Sequence, residues 1–289
     1  MATPGRYPLA ILGAGALGLH FAARLAAVGP VALVARNAVR AAALRAGVEV
    51  DSRRFVPEVF APDALPQADW VILLVKTGDT AEAARTALAL QPRGVVSLQN
   101  GLVEALLTEA CGTVPAGQGI TTEGAFREGS RVQPAGAGET LLPPGFETLA
   151  AALGAAGLRA RVEPDIAAAR LAKLLVNVAI NPLAALFRVP NGALLEAPHR
   201  VLLEALVSEA WPVLREAGLT LDEAAALARV QAVATATAAN RASMLQDVLA
   251  GRPTEIDAIT GALLAMAAAQ GRGLPTHQAV YTLIRRLAG

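Results

Sequence analysis

Lysine is nearly absent from this chain. Lys76 and Lys173 are the only two, so 23 of its 25 basic residues are arginine. A single cysteine, Cys111, excludes an internal disulfide and a cysteine-built metal site. Three scattered histidines, His20, His199 and His277, have no metal-ligand spacing. Charge of one sign is also missing: the net charge is +1, so no basic surface argues for nucleic acid. Long apolar runs are missing as well. Mean hydropathy is +0.46, but alanine supplies much of it, and no run reaches the roughly 18 uncharged residues of a membrane span. The longest candidate, 174–187, is interrupted by Asn177, Asn181 and Pro182. No membrane partner is expected. Residues 9–19 imitate an export signal behind Arg6, but three glycines inside that stretch have a better reading. The expected compartment is therefore the cytoplasm.

What remains is a chain of 289 residues, 54% apolar and 17% charged. That composition belongs to folded proteins, and the length suits one large domain or two ordinary ones. A lysine kept against an arginine background is either a remnant of codon usage or a group needed for its chemistry. Ammonium can give up a proton when desolvated, whereas guanidinium effectively never does.

The first half alternates short apolar runs with helical stretches. Strands are expected at 9–12, 31–35, 70–75 and 95–98, with helices at 16–27, 79–90 and 102–110. That alternation predicts a parallel sheet covered by helices. From 119 to 163 the pattern loosens, with β-like pieces at 140–142 and 158–162 and a helix over 146–156. After Pro164 helical periodicity takes over, broken at Pro190, Gly218, Arg252-Pro253 and 271–275. The fold class is α/β: an N-terminal Rossmann-type domain over 1–164, then an all-helical domain over 165–289. Oligomeric state stays open between monomer and homodimer.

Gly13-Ala14-Gly15-Ala16-Leu17-Gly18 fits G-x-G-x-x-G. It follows a predicted strand and opens a predicted helix, the context that a dinucleotide-binding loop requires. Gly13 permits the tight turn, Gly15 admits a pyrophosphate and Gly18 allows close helix packing. The helix N-terminus then faces the phosphates. About 20 residues on, where an NAD enzyme usually carries an acid, stands Arg36. An arginine there pairs with a 2′-phosphate, so NADP is expected over NAD. The alternative is a solvated arginine at a strand end.

Two further polar groups fall at predicted carboxyl ends of strands, where ligands of open α/β sheets bind. Lys76 follows the 70–75 run, and Asn100 lies in Gln99-Asn100-Gly101, which also reads as a turn. In the second half, Lys173, Asn177 and Asn181 recur every four residues in an otherwise aliphatic helix. Such a stripe faces a polar cavity or satisfies an interhelical contact. Pro182 is expected to bend or break this helix.

These residues carry a resemblance that runs nearly end to end. The chain resembles the ketopantoate reductase (2-dehydropantoate 2-reductase) family in its glycine loop, in Gln99-Asn100-Gly101 and in Thr121-Thr122-Glu123-Gly124-Ala125. It does so again from Lys173 to Pro182 and in Asn191-Gly192, and most densely in Ser243-Met244-Leu245-Gln246-Asp247 and Thr254-Glu255-Ile256-Asp257. The resemblance implies a Rossmann domain, a helical domain and an active site between them. It implies NADPH-dependent reduction of 2-dehydropantoate to (R)-pantoate, on the route to pantothenate and coenzyme A. Lys173 matches the catalytic lysine. Asn177, Asn181, Asn191 and Ser243 match substrate contacts, and Asn100 a residue near both nicotinamide ribose and substrate. Lys76 and Ala125 match cofactor contacts. Glu255 matches an acid at the nicotinamide ribose end, holding ribose hydroxyls or partnering Lys173. The departures are Ala258 and Thr260, where many relatives carry an aromatic residue and an asparagine, and Arg241-Ala242, where a second hydroxyl residue is common. They leave open a related reductase of another 2-keto acid; a non-catalytic NADPH-binding sensor is the other alternative.

Overall fold

The computed structural model describes residues 5–128, 131–136 and 138–287. The chain divides into two compact units. The first comprises the described residues up to Gln99 together with Val103–Ile166. The second comprises Asn100–Leu102 and the described residues from Ala167 onward. The short segment Asn100–Leu102 thus packs with the helical half, where a single boundary near 164 would leave it in the first.

In order along the chain, the first unit contains β1 (Arg6–Leu12), α1 (Ala16–Ala26), β2 (Val31–Val34), α2 (Ala38–Arg45), β3 (Val48–Val50), β4 (Arg53–Phe55), β5 (Glu58–Phe60) and β6 (Gln67–Leu73). Then come α3 (Thr80–Ala89), β7 (Gly94–Ser97), α4 (Glu104–Cys111), β8 (Ala116–Gln118), β9 (Ile120–Thr121), β10 (Ala125–Glu128), β11 (Arg131–Pro134), β12 (Thr140–Leu142), α5 (Glu147–Ala155) and β13 (Ala160–Val162). Six strands form one parallel sheet in the order β5-β2-β1-β6-β7-β8. The central strands read as continuous apolar runs because helices cover both faces, and Ala10, Ile11, Leu33, Ile72 and Val96 are fully buried. The chain reverses its direction of growth between β1 and β6, whose pairing runs to Leu12↔Leu73. Ligands of such sheets bind beyond the carboxyl ends at that switch point. A four-stranded sheet, β10-β11-β3-β4, packs on α1, and β13-β12-β9 form a third.

The expected strands and helices of the first unit are present with shifted ends. The sixth strand stops at Leu73, so Lys76 stands three residues beyond it rather than directly after it. The region between 36 and 66, left without elements by the sequence pattern, forms α2 and three short strands.

The second unit holds α6 (Ile166–Phe187), α7 (His199–Glu216), α8 (Glu223–Ala236), α9 (Ser243–Leu249), α10 (Ala262–Ala269) and α11 (Pro275–Leu287). Its core centres on α6, with Leu175, Val178, Ala179, Leu183 and Ala184 fully buried among Leu203, Leu206, Ala210 and Leu263. By length and composition α6 could cross a membrane, but more than half of its most apolar window is buried in this core. Of the bend or break expected at Pro182, the break does not occur: α6 is one helix through that residue. Proline removes a single backbone donor, and the buried side chains on either side hold the helix continuous.

Candidate functional site

The glycine loop occupies the switch point of the sheet, between β1 and α1. Gly13 has φ +118°, and a Cβ there would lie 2.5 Å from the Leu74 carbonyl oxygen. Gly18 is tighter still, since its Cβ would fall 1.8 Å from the Gly13 oxygen. Those two glycines are required by the fold. Gly15 is different. Its φ is −76°, which any residue adopts, and nothing lies within 4 Å of its Cβ position. Neither backbone strain nor packing accounts for glycine there. An open cradle beside the first turn of α1 is what a pyrophosphate needs, so the residues present fit a dinucleotide.

Two of the other expected cofactor residues follow strands of the same sheet that flank β1. Arg36 is exposed just past β2, and Lys76 is exposed at the turn after β6. Ala125 opens β10, which packs on α1. Sequence reasoning missed the group that fixes the Lys76 turn. Gln99 is buried, and its Nε2 donates to the Val75 carbonyl at 3.0 Å and to Thr80 Oγ1 at 3.0 Å. Its Oε1 accepts from Ser97 Oγ at 2.8 Å. A glutamine next to an Asn-Gly pair looks like turn filler in one dimension. Here it ties the ends of β6 and β7 together.

Sequence reasoning also missed a buried pair, His20 on α1 and Glu123. Their side chains approach to 3.6 Å, and each is about 6% exposed. Burial lowers the His20 pKa, and the Glu123 carboxylate opposes that shift. Glu123 also accepts from the Gly138 N–H at 3.0 Å. Glu123 lies two residues before Ala125, in the Thr-Thr-Glu-Gly-Ala run.

In the second unit, Lys173, Asn177 and Asn181 share one side of α6. Asn181 is buried, and Lys173 and Asn177 are partly so. Burial pulls the Lys173 pKa from its ordinary 10.5 to about 8, although the Glu255 carboxylate pushes the other way. Desolvation therefore outweighs the carboxylate. Glu255 is itself buried, and its Oε2 accepts from Asn100 Nδ2 at 3.1 Å. An amide, a carboxylate and an ammonium from three separate stretches of sequence thus act on one another within one unit.

Backbone contacts explain how Asn100 and Glu255 are held. Gly101 has φ +72°, and its Cβ would lie 2.2 Å from the Ala258 carbonyl oxygen. The same carbonyl accepts from Leu102 N–H at 3.3 Å. Ala258 and Thr260 belong to a π-helical turn over Asp257–Gly261, a widened turn often found at functional sites. Before it, the loop carrying Glu255 is fastened to the end of α9. Arg252 donates from Nε to Asp247 Oδ1 at 3.0 Å and from its backbone N–H to the Asp247 carbonyl at 2.9 Å. Asp247 is buried, which makes this more than a surface ion pair.

Asn191 and Ser243 fall on neighbouring segments. Asn191 N–H donates to the Asn240 carbonyl at 3.0 Å, and Gly192 N–H to Ala238 at 3.0 Å. A Cβ on Gly192 would lie 2.7 Å from that of Ala238, hence the glycine. Asn191 Nδ2 donates to Thr237 Oγ1 at 2.9 Å, whereas its buried Oδ1 has no protein partner. Ser243 is exposed on the first turn of α9. No group of three or more metal-ligating side chains occurs among the described residues.

Comparison with known proteins agrees with this layout. The family model described as Ketopantoate reductase PanE/ApbA matches residues 9–145, and the Ketopantoate reductase PanE/ApbA C-terminal model matches 165–288. The 2-dehydropantoate 2-reductase of Archaeoglobus fulgidus is 32% identical over 286 residues, covering 95% of this chain and 96% of that protein. The crystal structure of a PanE/ApbA-family ketopantoate reductase from Ralstonia eutropha matches with TM-score 0.82 and 28% identity, over 97% of this chain and 98% of that one. D-mandelate dehydrogenase bound to NADH and anilino(oxo)acetate matches with TM-score 0.89 over 97% and 98% of the two chains; at 22% identity it shares the fold. With both family models matched and a relative above 30% identity along nearly its whole length, the chain belongs to the ketopantoate reductase family.

Proposed function

We propose that the protein reduces 2-dehydropantoate to (R)-pantoate with NADPH, with Lys173 as the proton donor. The observation that carries this reading is the Lys173 ammonium, desolvated on an apolar helix and opposed by a buried carboxylate. When bound, NADPH supplies the hydride. The open cradle at Gly15 and the first turn of α1 would hold its pyrophosphate. Arg36 would meet the 2′-phosphate, with Lys76, Asn100 and Ala125 contacting the rest of the dinucleotide.

As the ketone is reduced, negative charge grows on its oxygen. An ammonium at that oxygen stabilises the transition state more than the ground state. With a pKa of about 8, Lys173 is mostly protonated at neutral pH, yet far readier to release a proton than an ordinary lysine. A group whose pKa lies near the working pH is the efficient general acid, worth about 10²–10⁴ in rate. Asn177, Asn181, Asn191 and Ser243 would hold the carboxylate and hydroxyl of the substrate. The unpartnered Asn191 Oδ1 is an acceptor suited to the hydroxyl. Glu255, bonded to Asn100 and acting on Lys173, partners the lysine in this reading.

The test is NADPH oxidation with 2-dehydropantoate beside a panel of other 2-keto acids. The reading expects 2-dehydropantoate to have the highest kcat/KM. A clear preference for another keto acid would reassign the substrate. Tight NADPH binding with no turnover of any keto acid would make the protein a sensor.

A further inference from the structure

The region just past β2 carries more positive charge than Arg36 alone. Asn37 starts α2: its Oδ1 accepts from Arg40 N–H at 2.8 Å, and its carbonyl accepts from Ala41 N–H at 3.0 Å. The capped start points the positive end of the helix dipole toward Arg36. Arg40, one turn along, reaches back across 26 residues, and its Nη2 donates to the Ala14 carbonyl of the glycine loop at 3.3 Å. Arg127, on β10, has its pKa lowered mainly by burial and further by the nearby Arg40 charge. Among the described residues no carboxylate forms an ion pair with Arg36, Arg40 or Arg127. Elsewhere in the chain arginines commonly find an acid, as Arg6, Arg93, Arg131, Arg161 and Arg252 do.

Like charges gathered without a counter-charge repel one another, and such an arrangement is relieved when an anion binds. Arg40 has the right reach for that anion. Its guanidinium has five donors, and the Ala14 carbonyl engages one of them while fixing the plane of the fork. We propose that Arg40 is a second specificity residue for the 2′-phosphate of the dinucleotide, acting beside Arg36 while tethered to the glycine loop through Ala14. This rests on the NADPH reading above. It makes the pyrophosphate loop and the 2′-phosphate pocket one connected structure, because the same side chain touches both.

The test is titration of the cofactor-free protein with NADPH and with NADH, followed by cofactor fluorescence, for wild type, Arg36→Ala, Arg40→Ala and Arg40→Gln. Losing one charge-assisted contact is expected to weaken NADPH by about 10- to 100-fold in both Arg40 variants. NADH affinity should stay within about twofold of wild type. An equal loss for both cofactors would overturn the proposal, since Arg40 would then only brace the loop. Unchanged NADPH affinity would overturn it as well. A wild-type protein without preference for NADPH, together with an inert Arg36→Ala, would instead overturn the NADPH reading on which it rests. Arg40 is partly exposed on α2, and a thermal melt of each variant confirms that the fold is retained.

Discussion

Lys173 experiences two opposing influences, and their balance sets when it can act. Burial favours the neutral amine, and the Glu255 carboxylate favours the ammonium. Because the acid form is the reactive one, kcat/KM should be level at neutral pH and fall as pH rises through about 8. Removing the Glu255 charge takes away an influence that raises the pKa. Glu255→Gln should therefore move the falling limb to lower pH, and a pH profile of kcat/KM for both proteins measures it. A limb that stays put, or moves up, would detach Glu255 from Lys173. Arg36 and Lys76 are exposed and are proposed to meet the cofactor, so their substitutions should raise the Kd for NADPH without moving this limb. Lysine scarcity draws attention to both lysines equally, but the environments separate them. Only Lys173 combines partial burial, a carboxylate partner and a polar stripe of asparagines.

At the scale of elements, the β1–α1 turn distinguishes residues the fold needs from residues the ligand needs. Gly18→Ala would drive a methyl into the Gly13 carbonyl and should lower Tm sharply, with a destabilisation at or above the about 1–3 kcal/mol of ordinary overpacking. Gly15→Ala meets open space and an ordinary φ, so Tm should be unchanged while NADPH affinity collapses. Thermal melts and NADPH titrations of the two variants check this, and a matched loss of stability would remove the case for a cradle at Gly15. The Asp247–Arg252 fastening does similar work for the loop that delivers Glu255. Asp247→Ala leaves Arg252 without its Nε acceptor and should cut kcat several-fold and shift the alkaline limb downward, as Glu255→Gln does. Asp247→Asn keeps an acceptor and should recover part of both. A stable Asp247→Ala enzyme with an unshifted limb would reduce the bridge to a packing role.

For the whole molecule, the strand–helix alternation and the later helical run were legible because long buried strands and amphipathic helices leave strong periodic patterns. Short elements do not. Strands β3, β4 and β5 have three residues each, too few for any period, and α2 is an alanine-rich stretch whose clearest mark is the Asn37 cap. Pro182 does not break α6, because the proline rule describes an isolated helix while α6 is held by the core around it. At the site, residue types at local spacing were readable: the glycine loop, the Lys173–Asn177–Asn181 stripe and the positions matched through the family. Relations across long separations were not. Glu255 meets Asn100 across 155 residues, and Arg40 meets Ala14 across 26. Nothing in one dimension marks Gln99 as the tie between two strand ends, or His20 and Glu123 as a buried pair.

In the proposed function the two units divide the work, the first holding the dinucleotide and the second the keto acid and its proton donor. That division is tested most directly by comparing wild type with Lys173→Arg in one experiment: steady-state reduction of 2-dehydropantoate by NADPH, with the NADPH Kd measured on the same preparations. Arginine keeps the charge but is a very poor proton donor. Turnover by wild type, a loss of about 10²-fold or more in kcat for Lys173→Arg and an unchanged NADPH Kd are the expected results. Near-normal turnover by Lys173→Arg would contradict the assignment of Lys173 as the acid.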